Sequence, residues 1–470
     1  MNKEELKKIL GFIPSREQED VIAKIISFFS SEEEDTFILT GAAGTGKTSI
    51  LKAILQSLPE DMKPVLMAPT GRAASILSSK TGRQASTIHA QIYLVHEEKD
   101  KEGNVLYIRF VKREKVDETP TVFFVDEASM LGDVLRQDPD PQFVADAPLL
   151  PELIRHIKKG NKKNKLVFIG DPYQLPPVHM EFSPALSPEH LEEKYALRPL
   201  FYELTEVKRQ SEGSYILTNA VNLRNAITHG MMTDDLVYEP VAGEDEAIEK
   251  YCQQIKEEQT EDLIYLAWKN VTVSELNSRI RGRLFGTWKT LVAGERVILD
   301  QGNYHGTYIP GGTLLTVEEV LDDSEEIAGI RFATVKLRYS GTDTVIGQEF
   351  KVFLEYLLSD PVSRRRDQKM SMLWHERYKV NKELRDTRNK LSDPYLAALR
   401  LKYAYAVTTH KAQGGEWKTV YLHPEFPFGP SSVKWLYTSV TRAKEHLYSF
   451  PMDLLSGFGS PGTPFLRDVG

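Results

Sequence analysis

One octapeptide, Gly41-Ala42-Ala43-Gly44-Thr45-Gly46-Lys47-Thr48, constrains this chain more than any other feature. It fits the pattern G-x-x-x-x-G-K-[ST]. It lies between an apolar run, Phe37-Ile38-Leu39-Thr40, and a helical pattern over residues 47–58. A strand, a glycine-rich turn and a helix in that order point backbone N–H groups at a phosphate, and the helix N-terminus adds partial positive charge. Lys47 then reaches the β- and γ-phosphates of a bound nucleotide, and the Thr48 hydroxyl ligates Mg²⁺. A chance glycine-rich turn would lack the flanking strand and helix.

Such a loop needs a second acid for its metal. Asp126-Glu127 closes the apolar strand VFFVDE (122–127), so Asp126 is expected to hold Mg²⁺ through water and Glu127 to orient or deprotonate the attacking water. Phosphoryl transfer is mainly positioning and electrostatics, so cations must also converge on the γ-phosphate; Arg209 and Arg442 are candidates.

Further apolar runs, VLMAP (65–69) and LVFIGD (166–171), alternate with helical patterns such as GRAASILSSK (71–80). Near-continuous apolar strands separated by helices predict a parallel sheet covered on both faces, with ligands beyond the carboxyl ends of its strands.

The length of 470 residues suits about two to four domains. A hydrophobic content of 41% gives them real cores. The net charge of −8 excludes a uniformly basic nucleic-acid coat protein and leaves room for a local basic groove. Cys252 is the only cysteine, which excludes an intrachain disulfide framework and a cysteine metal cluster. No apolar run approaches the ~18–20 residues that would span a bilayer. The start, MNKEELKKIL, lacks the apolar core of a signal peptide. A soluble, cytoplasmic protein without a membrane partner is expected.

Three segments break the alternation. Residues 91–119 predict a hairpin turning around Glu102-Gly103-Asn104, and residues 131–149, with Asp-Pro-Asp-Pro, predict a loop. Residues 283–360 are rich in β-branched residues and glycine and predict a small barrel. Charge is uneven too. Residues 361–391 carry ten Lys/Arg against four Asp/Glu, interleaved with Trp374 and Tyr378, whereas residues 232–262 carry eleven acids and two lysines.

Seven further blocks, in order, resemble the superfamily 1 DNA helicases of the 5′-to-3′ branch, which includes RecD-like and phage Dda-like proteins. They are Ala68-Pro69-Thr70-Gly71-Arg72-Ala73-Ala74, Ser86-Thr87-Ile88-His89, Asp126-Glu127-Ala128-Ser129-Met130, Gly170-Asp171-Pro172-Tyr173-Gln174-Leu175-Pro176-Pro177, Leu204-Thr205-Glu206-Val207-Lys208-Arg209-Gln210, Thr408-Thr409-His410-Lys411-Ala412-Gln413-Gly414 and Tyr437-Thr438-Ser439-Val440-Thr441-Arg442-Ala443. With Gln18 they cover residues 18 to 443.

The resemblance implies an α/β fold: two RecA-like parallel-sheet P-loop domains, with a β-hairpin insertion in the first and an SH3-like barrel insertion in the second, and ATP in the cleft between the two. It divides the chain into a first domain (1–90 and 120–205), a hairpin pin (91–119), a second domain (206–282 and 396–470) and a barrel with a basic helical extension (283–395). It gives Gln18 the adenine, Gln174 the γ-phosphate and the metal-bound water, and Arg209 and Arg442 the role of arginine fingers. Gln413 and Gly414 would face both nucleotide and DNA. Pro69, Thr70, Thr87, His89, Thr409 and His410 would line the single-strand path, where hydroxyls and backbone N–H groups hold phosphates and aromatic faces stack on bases. Tyr107 and Phe110 suit a pin that splits the duplex, and Asn277 falls in a block with expected nucleic-acid contact.

The function implied is an ATP-dependent DNA helicase: an ATP hydrolase using Mg²⁺ that moves 5′-to-3′ on single-stranded DNA and opens forked or tailed duplex DNA. The alternatives are an RNA helicase or a translocase that displaces proteins without strong unwinding. A monomer, with replication or repair proteins as partners, is expected.

Overall fold

In the computed structural model, the residues described are 8–99, 105–113, 119–135, 143–144, 147–206, 214–230, 236–258, 261–286, 290–300, 309, 311–342, 344–358, 367–387, 390–427 and 431–451. The chain divides into two compact units: Met1–His96 with Tyr107–Ile227, and Glu97–Leu106 with Thr228–Gly470.

The strands that begin in the first part of the chain are β1 (Thr36–Gly41), β2 (Lys63–Ala68), β3 (Ala85–Thr87), β4 (Tyr93–Lys99), β5 (Val105–Lys112), β6 (Thr121–Val125), β7 (Phe143–Val144), β8 (Lys165–Gly170) and β9 (Pro199–Leu204). Six of them form one sheet in the order β3-β2-β6-β8-β1-β9. Every pairing in it is parallel.

The near-continuous apolar runs follow from that arrangement, because successive residues of a strand face opposite sides and both sides are covered. Phe37 and Leu39 of β1, Val122 and Phe124 of β6, and Val167 and Ile169 of β8 enter one core with Val21, Ile25, Ile50 and Ile54 of the helices Arg16–Ser30 and Lys47–Gln56. Ile38, Phe123, Val125, Leu166 and Phe168 enter the other core with Leu150, Leu153, Ile154 and Ile157 of the helix Leu149–Lys159. The first of these helices starts at a capping box: the Ser15 side chain accepts from the Gln18 N–H, and the Gln18 side chain accepts from the Ser15 N–H.

The hairpin expected over 91–119 is narrower than its composition suggested. Ile88–Ile92 is a short helix, and β4 begins at Tyr93. The turn Glu102-Gly103-Asn104 lies outside the described residues. The segment expected to be a loop contains β7, which pairs with Ile108 and Arg109 of β5 and completes a three-stranded sheet β4-β5-β7. Two residues are too few to leave a periodic signal.

The second unit contains β10 (Glu239–Pro240), β11 (Leu263–Ala267), β12 (Arg296–Leu299), β13 (Leu314–Ile327), β14 (Ile330–Tyr339), β15 (Val345–Phe353), β16 (Leu401–Tyr403), β17 (Ala406–Thr408), β18 (Trp417–Leu422) and β19 (Ala443–Ser449). A parallel sheet runs β10-β19-β18-β11-β17. A second sheet, antiparallel, runs β15-β14-β13-β12-β16. Leu399, just before β16, donates to Lys351 O at 2.7 Å and accepts from Phe353 N at 3.1 Å, so the two edges of the sheet approach each other. β16 lies beyond residue 395, where the barrel segment was expected to end.

The basic, aromatic stretch 361–391 is helical over Asp367–Val380 and Lys382–Thr387. Trp374 and Tyr378 stack on each other with centroids 4.8 Å apart and pack against Phe332, Leu373 and Leu384. Both are half-buried, and their apolar surface packs against this unit's own core.

Candidate nucleotide site and motif blocks

Because the first sheet is wholly parallel, its carboxyl ends share one edge. The loop 41–48 follows β1, Asp126-Glu127 follows β6, and Gln174 lies four residues beyond β8; these three strands are neighbours in the sheet. The loop is tightly wound. Gly44 and Gly46 take left-handed φ values of 84° and 88°, which favour glycine. A Cβ at Gly41 would stand 2.7 Å from Thr45 Oγ1, and one at Gly46 would stand 2.8 Å from Gln18 Nε2. Thr45 Oγ1 donates to Ala42 O at 2.9 Å. Lys47 Nζ donates to Gly41 O at 2.5 Å and Ala42 O at 3.0 Å, so the ammonium lies over the loop it is expected to serve. Gln18 is buried, and its Nε2 donates to Thr45 O at 3.4 Å. The residue expected at the adenine is thus already joined to the phosphate loop.

Burial pushes the Asp126 carboxyl above its ordinary range, against the Glu127 N–H and the charges of Lys47 and Lys80, which pull it down. Asp126 Oδ1 accepts that N–H at 3.0 Å. Glu127 itself stands at φ 53°, the left-handed region, where strain of roughly 1–3 kcal/mol is typical of functional sites. Gln174 Oε1 and Ser129 Oγ are both buried without a hydrogen-bond partner among the described residues. A half-buried carboxylate and an unpaired carbonyl oxygen at one sheet edge are costly unless a ligand compensates them. These groups fit a nucleoside triphosphate with a divalent cation: Thr48 and Asp126 have the hard oxygen donors that Mg²⁺ takes.

In the second unit, Arg442 is buried at the end of the helix Ser431–Val440, and its donors are engaged there. Nε donates to Thr438 O at 2.9 Å, Nη1 to Gly415 O at 3.0 Å and Nη2 to Thr441 Oγ1 at 3.1 Å. The guanidinium ties this helix to the turn after Gln413 and Gly414. Gln413 is buried, and Gly414 has φ 76°. Arg209 lies outside the described residues.

The chain matches the family model of an AAA domain over residues 25–180 and that of the UvrD-like helicase C-terminal domain over residues 403–448. It is 26% identical over 325 residues to the ATP-dependent DNA helicase dda of Enterobacteria phage T4, covering 66% of this chain and 65% of that protein. It is 31% identical over 144 residues to the ATP-dependent RecD2 DNA helicase of Deinococcus radiodurans, covering 30% of this chain and 16% of that protein. The Pif1 helicase of Candida albicans shares the fold at a TM-score of 0.51 and 18% identity, over 95% of this chain and 96% of that one. These matches make the chain similar to ATP-dependent DNA helicases in both matched regions. It spans less than two thirds of its curated relatives: 65% of the T4 protein and 11% of the Methanocaldococcus jannaschii protein MJ1519.

The expected DNA-path residues separate into two groups. Pro69, Thr70, His89 and His410 are half-buried at strand or helix ends. The Thr70 hydroxyl caps the helix Gly71–Thr81 by accepting from Ala73 N. The His89 ring lies 5.8 Å from Tyr93, and burial lowers its pKa, so it is neutral at pH 7. Thr87, Thr409 and Asn277 are buried instead. Thr87 caps the helix Ile88–Ile92 through Ala90 N, and the Thr409 hydroxyl bonds Ser439 Oγ at 2.9 Å. Asn277 Oδ1 accepts from Tyr405 N and Ala406 N, both at 2.9 Å, while Nδ2 donates to Val273 O at 2.8 Å and Ala406 O at 2.9 Å. Both ends of that amide are satisfied inside the unit. Asn277 is therefore a clamp between the helix Asn270–Phe285 and β17. Tyr107 and Phe110 fall on β5, with side chains outside the described part of the molecule.

Two features of the blocks escaped sequence reasoning. Ser129 stands in its block with no role that the sequence assigns. Lys411 stands in its block in the same way, yet Asp300 Oδ1 accepts from both Lys411 Nζ at 2.8 Å and Lys402 Nζ at 2.9 Å. Only Lys411's place in the block marked it in sequence; Asp300 is far away along the chain.

Proposed function

We propose that the protein is an ATP-dependent DNA motor, an ATP hydrolase that moves 5′-to-3′ along single-stranded DNA and separates the strands of forked or tailed duplexes. The convergence of Lys47, Asp126 and Gln174 at the carboxyl ends of three adjacent strands carries this reading. Lys47 and the loop N–H groups bind the β- and γ-phosphates, and Gln18 binds the base. Glu127 orients and deprotonates water, and Gln174 senses the γ-phosphate. Thr48 and Asp126 would hold Mg²⁺, which would supply positive charge to the phosphates. Arg209 and Arg442 supply cationic charge in the transition state; for Arg442 this requires exchanging its bonds to Thr438 O and Gly415 O for phosphate oxygens. Pro69, Thr70, His89 and His410 contact the strand, which they hold without reading its sequence.

ATP turnover with and without single-stranded DNA, together with displacement of 5′-tailed and 3′-tailed duplexes, tests the proposal. Expected are DNA-stimulated turnover, opening of the 5′-tailed duplex, and loss of turnover in Lys47→Ala. Turnover indifferent to DNA would defeat the motor, and stimulation by RNA alone would transfer it to the other nucleic acid.

A further inference from the structure

A shallow hollow of about 20 Å³ in the first unit lies apart from every motif block. It is lined by Ile92, Lys112, Arg113, Glu152, Arg155, His156 and Lys159. It forms at the root of the β4–β5 hairpin: Lys112 ends β5, and Arg113 N donates to Ile92 O at 3.0 Å, just before β4 begins.

The helix Leu149–Lys159 forms the opposite wall. It buries Leu150, Leu153, Ile154 and Ile157 and turns Arg155 and Lys159, one turn apart, to the pocket. Lys158 of the same helix is used elsewhere, on Tyr195 O at 2.7 Å and Ala196 O at 3.2 Å. The floor is Glu152, 2% exposed, whose carboxylate pairs with Lys112 at 2.8 Å and with Arg155. One buried carboxylate thus fixes two cationic heads. Arg113 donates through Nη2 to Ala90 O at 3.0 Å, and Lys159 has no partner among the described residues. Four cations against one carboxylate leave a positive surplus in an acidic protein. His156 adds none at neutral pH: burial, then Arg113 and Lys159, lower its pKa.

A solvated basic helix face would be convex and would not hold its charges on a buried acid. Guanidinium and ammonium groups gathered around the rim of one small hollow match phosphate oxygens. We propose that this pocket seats a backbone phosphate of the nucleic acid at the root of the hairpin, an anchor separate from the strand path of the motif blocks. The polyanion's identity rests on the DNA-motor reading: a strand parted at the hairpin passes its root.

The double variant Arg113→Ala/Lys159→Ala tests this in the full chain, since neither residue pairs with Glu152. Binding to a labelled single strand and to a tailed duplex is measured by fluorescence anisotropy over a salt series. For each phosphate that the variant no longer neutralises, the slope of log affinity against log salt should become shallower by about 0.7 on the single strand or about 0.9 on the duplex. The substrate that shows the change identifies which strand is seated. Lys159→Glu should weaken the same substrate further, with ATP turnover at saturating DNA unchanged. Wild-type slopes in both variants on both substrates, with wild-type protein binding normally, would overturn the pocket alone. Failure of the wild-type protein to bind either oligonucleotide would overturn the motor reading and the pocket with it.

Discussion

At the scale of single residues, the site trades stability for chemistry. Asp126 is a half-buried carboxylate whose pKa is raised chiefly by burial. Asp126→Asn keeps the acceptor for the Glu127 N–H and removes the charge. We expect it to abolish ATP turnover while raising the melting temperature of the nucleotide-free protein by a few degrees, about 1 kcal/mol. Calorimetry beside a turnover assay checks both halves; a lower melting temperature would show that the charge is compensated within the fold. Gly46→Ala should act in the opposite sense. It forces a Cβ to 2.8 Å from Gln18 Nε2 at φ 88°, costing roughly 1–2 kcal/mol for the left-handed conformation alone. Nucleotide affinity, read by titration of a fluorescent analogue, should fall at least tenfold.

Between elements, hydrogen-bonded side chains set the spacing of the motif blocks. Asn277 joins the helix Asn270–Phe285 to the start of β17, and β17 leads into the block 408–414. Asn277→Ala leaves two backbone N–H groups and two carbonyls to find new partners, a loss of roughly 2–4 kcal/mol. Chemical denaturation should show that loss. DNA affinity measured below the unfolding transition should change little, whereas a direct nucleic-acid contact would show the reverse. A polar residue in a helix reads equally well as a ligand or a clamp. Only the approach of β17, about 130 residues later, decides between them.

For the whole molecule, acid sensitivity follows from groups in both units. Burial lowers the pKa of His89 in the first unit and of His423 in the second. The unfolded chain therefore binds more protons than the native one below about pH 6.5, and stability falls as pH drops through that range. Asp300 adds to this at lower pH. Burial would raise its pKa, but Lys411 and Lys402 hold it well below 3.8, so its contribution is present above that value and is lost on further acidification. Thermal melts from pH 8 downward should show a plateau, then a decline beginning near pH 6.5. The His89→Gln variant should decline less steeply there.

The phosphate loop, the carboxylate strand and the order of the blocks were legible in the sequence because each depends on residues adjacent along the chain. Glycine at left-handed φ, a strand of continuous apolar residues and a lysine at a helix start are local requirements, and the parallel sheet follows from the strand pattern. The basic pocket at the hairpin root, the Asn277 clamp, the packing of Trp374 and Tyr378 against a core, and the pairing of Asp300 with Lys411 were not legible. Each joins residues far apart in sequence, where a charged or polar side chain reads the same whether it faces solvent, a ligand or another strand. Tertiary packing made that choice, because only it fixes which polar groups lose water and what replaces it.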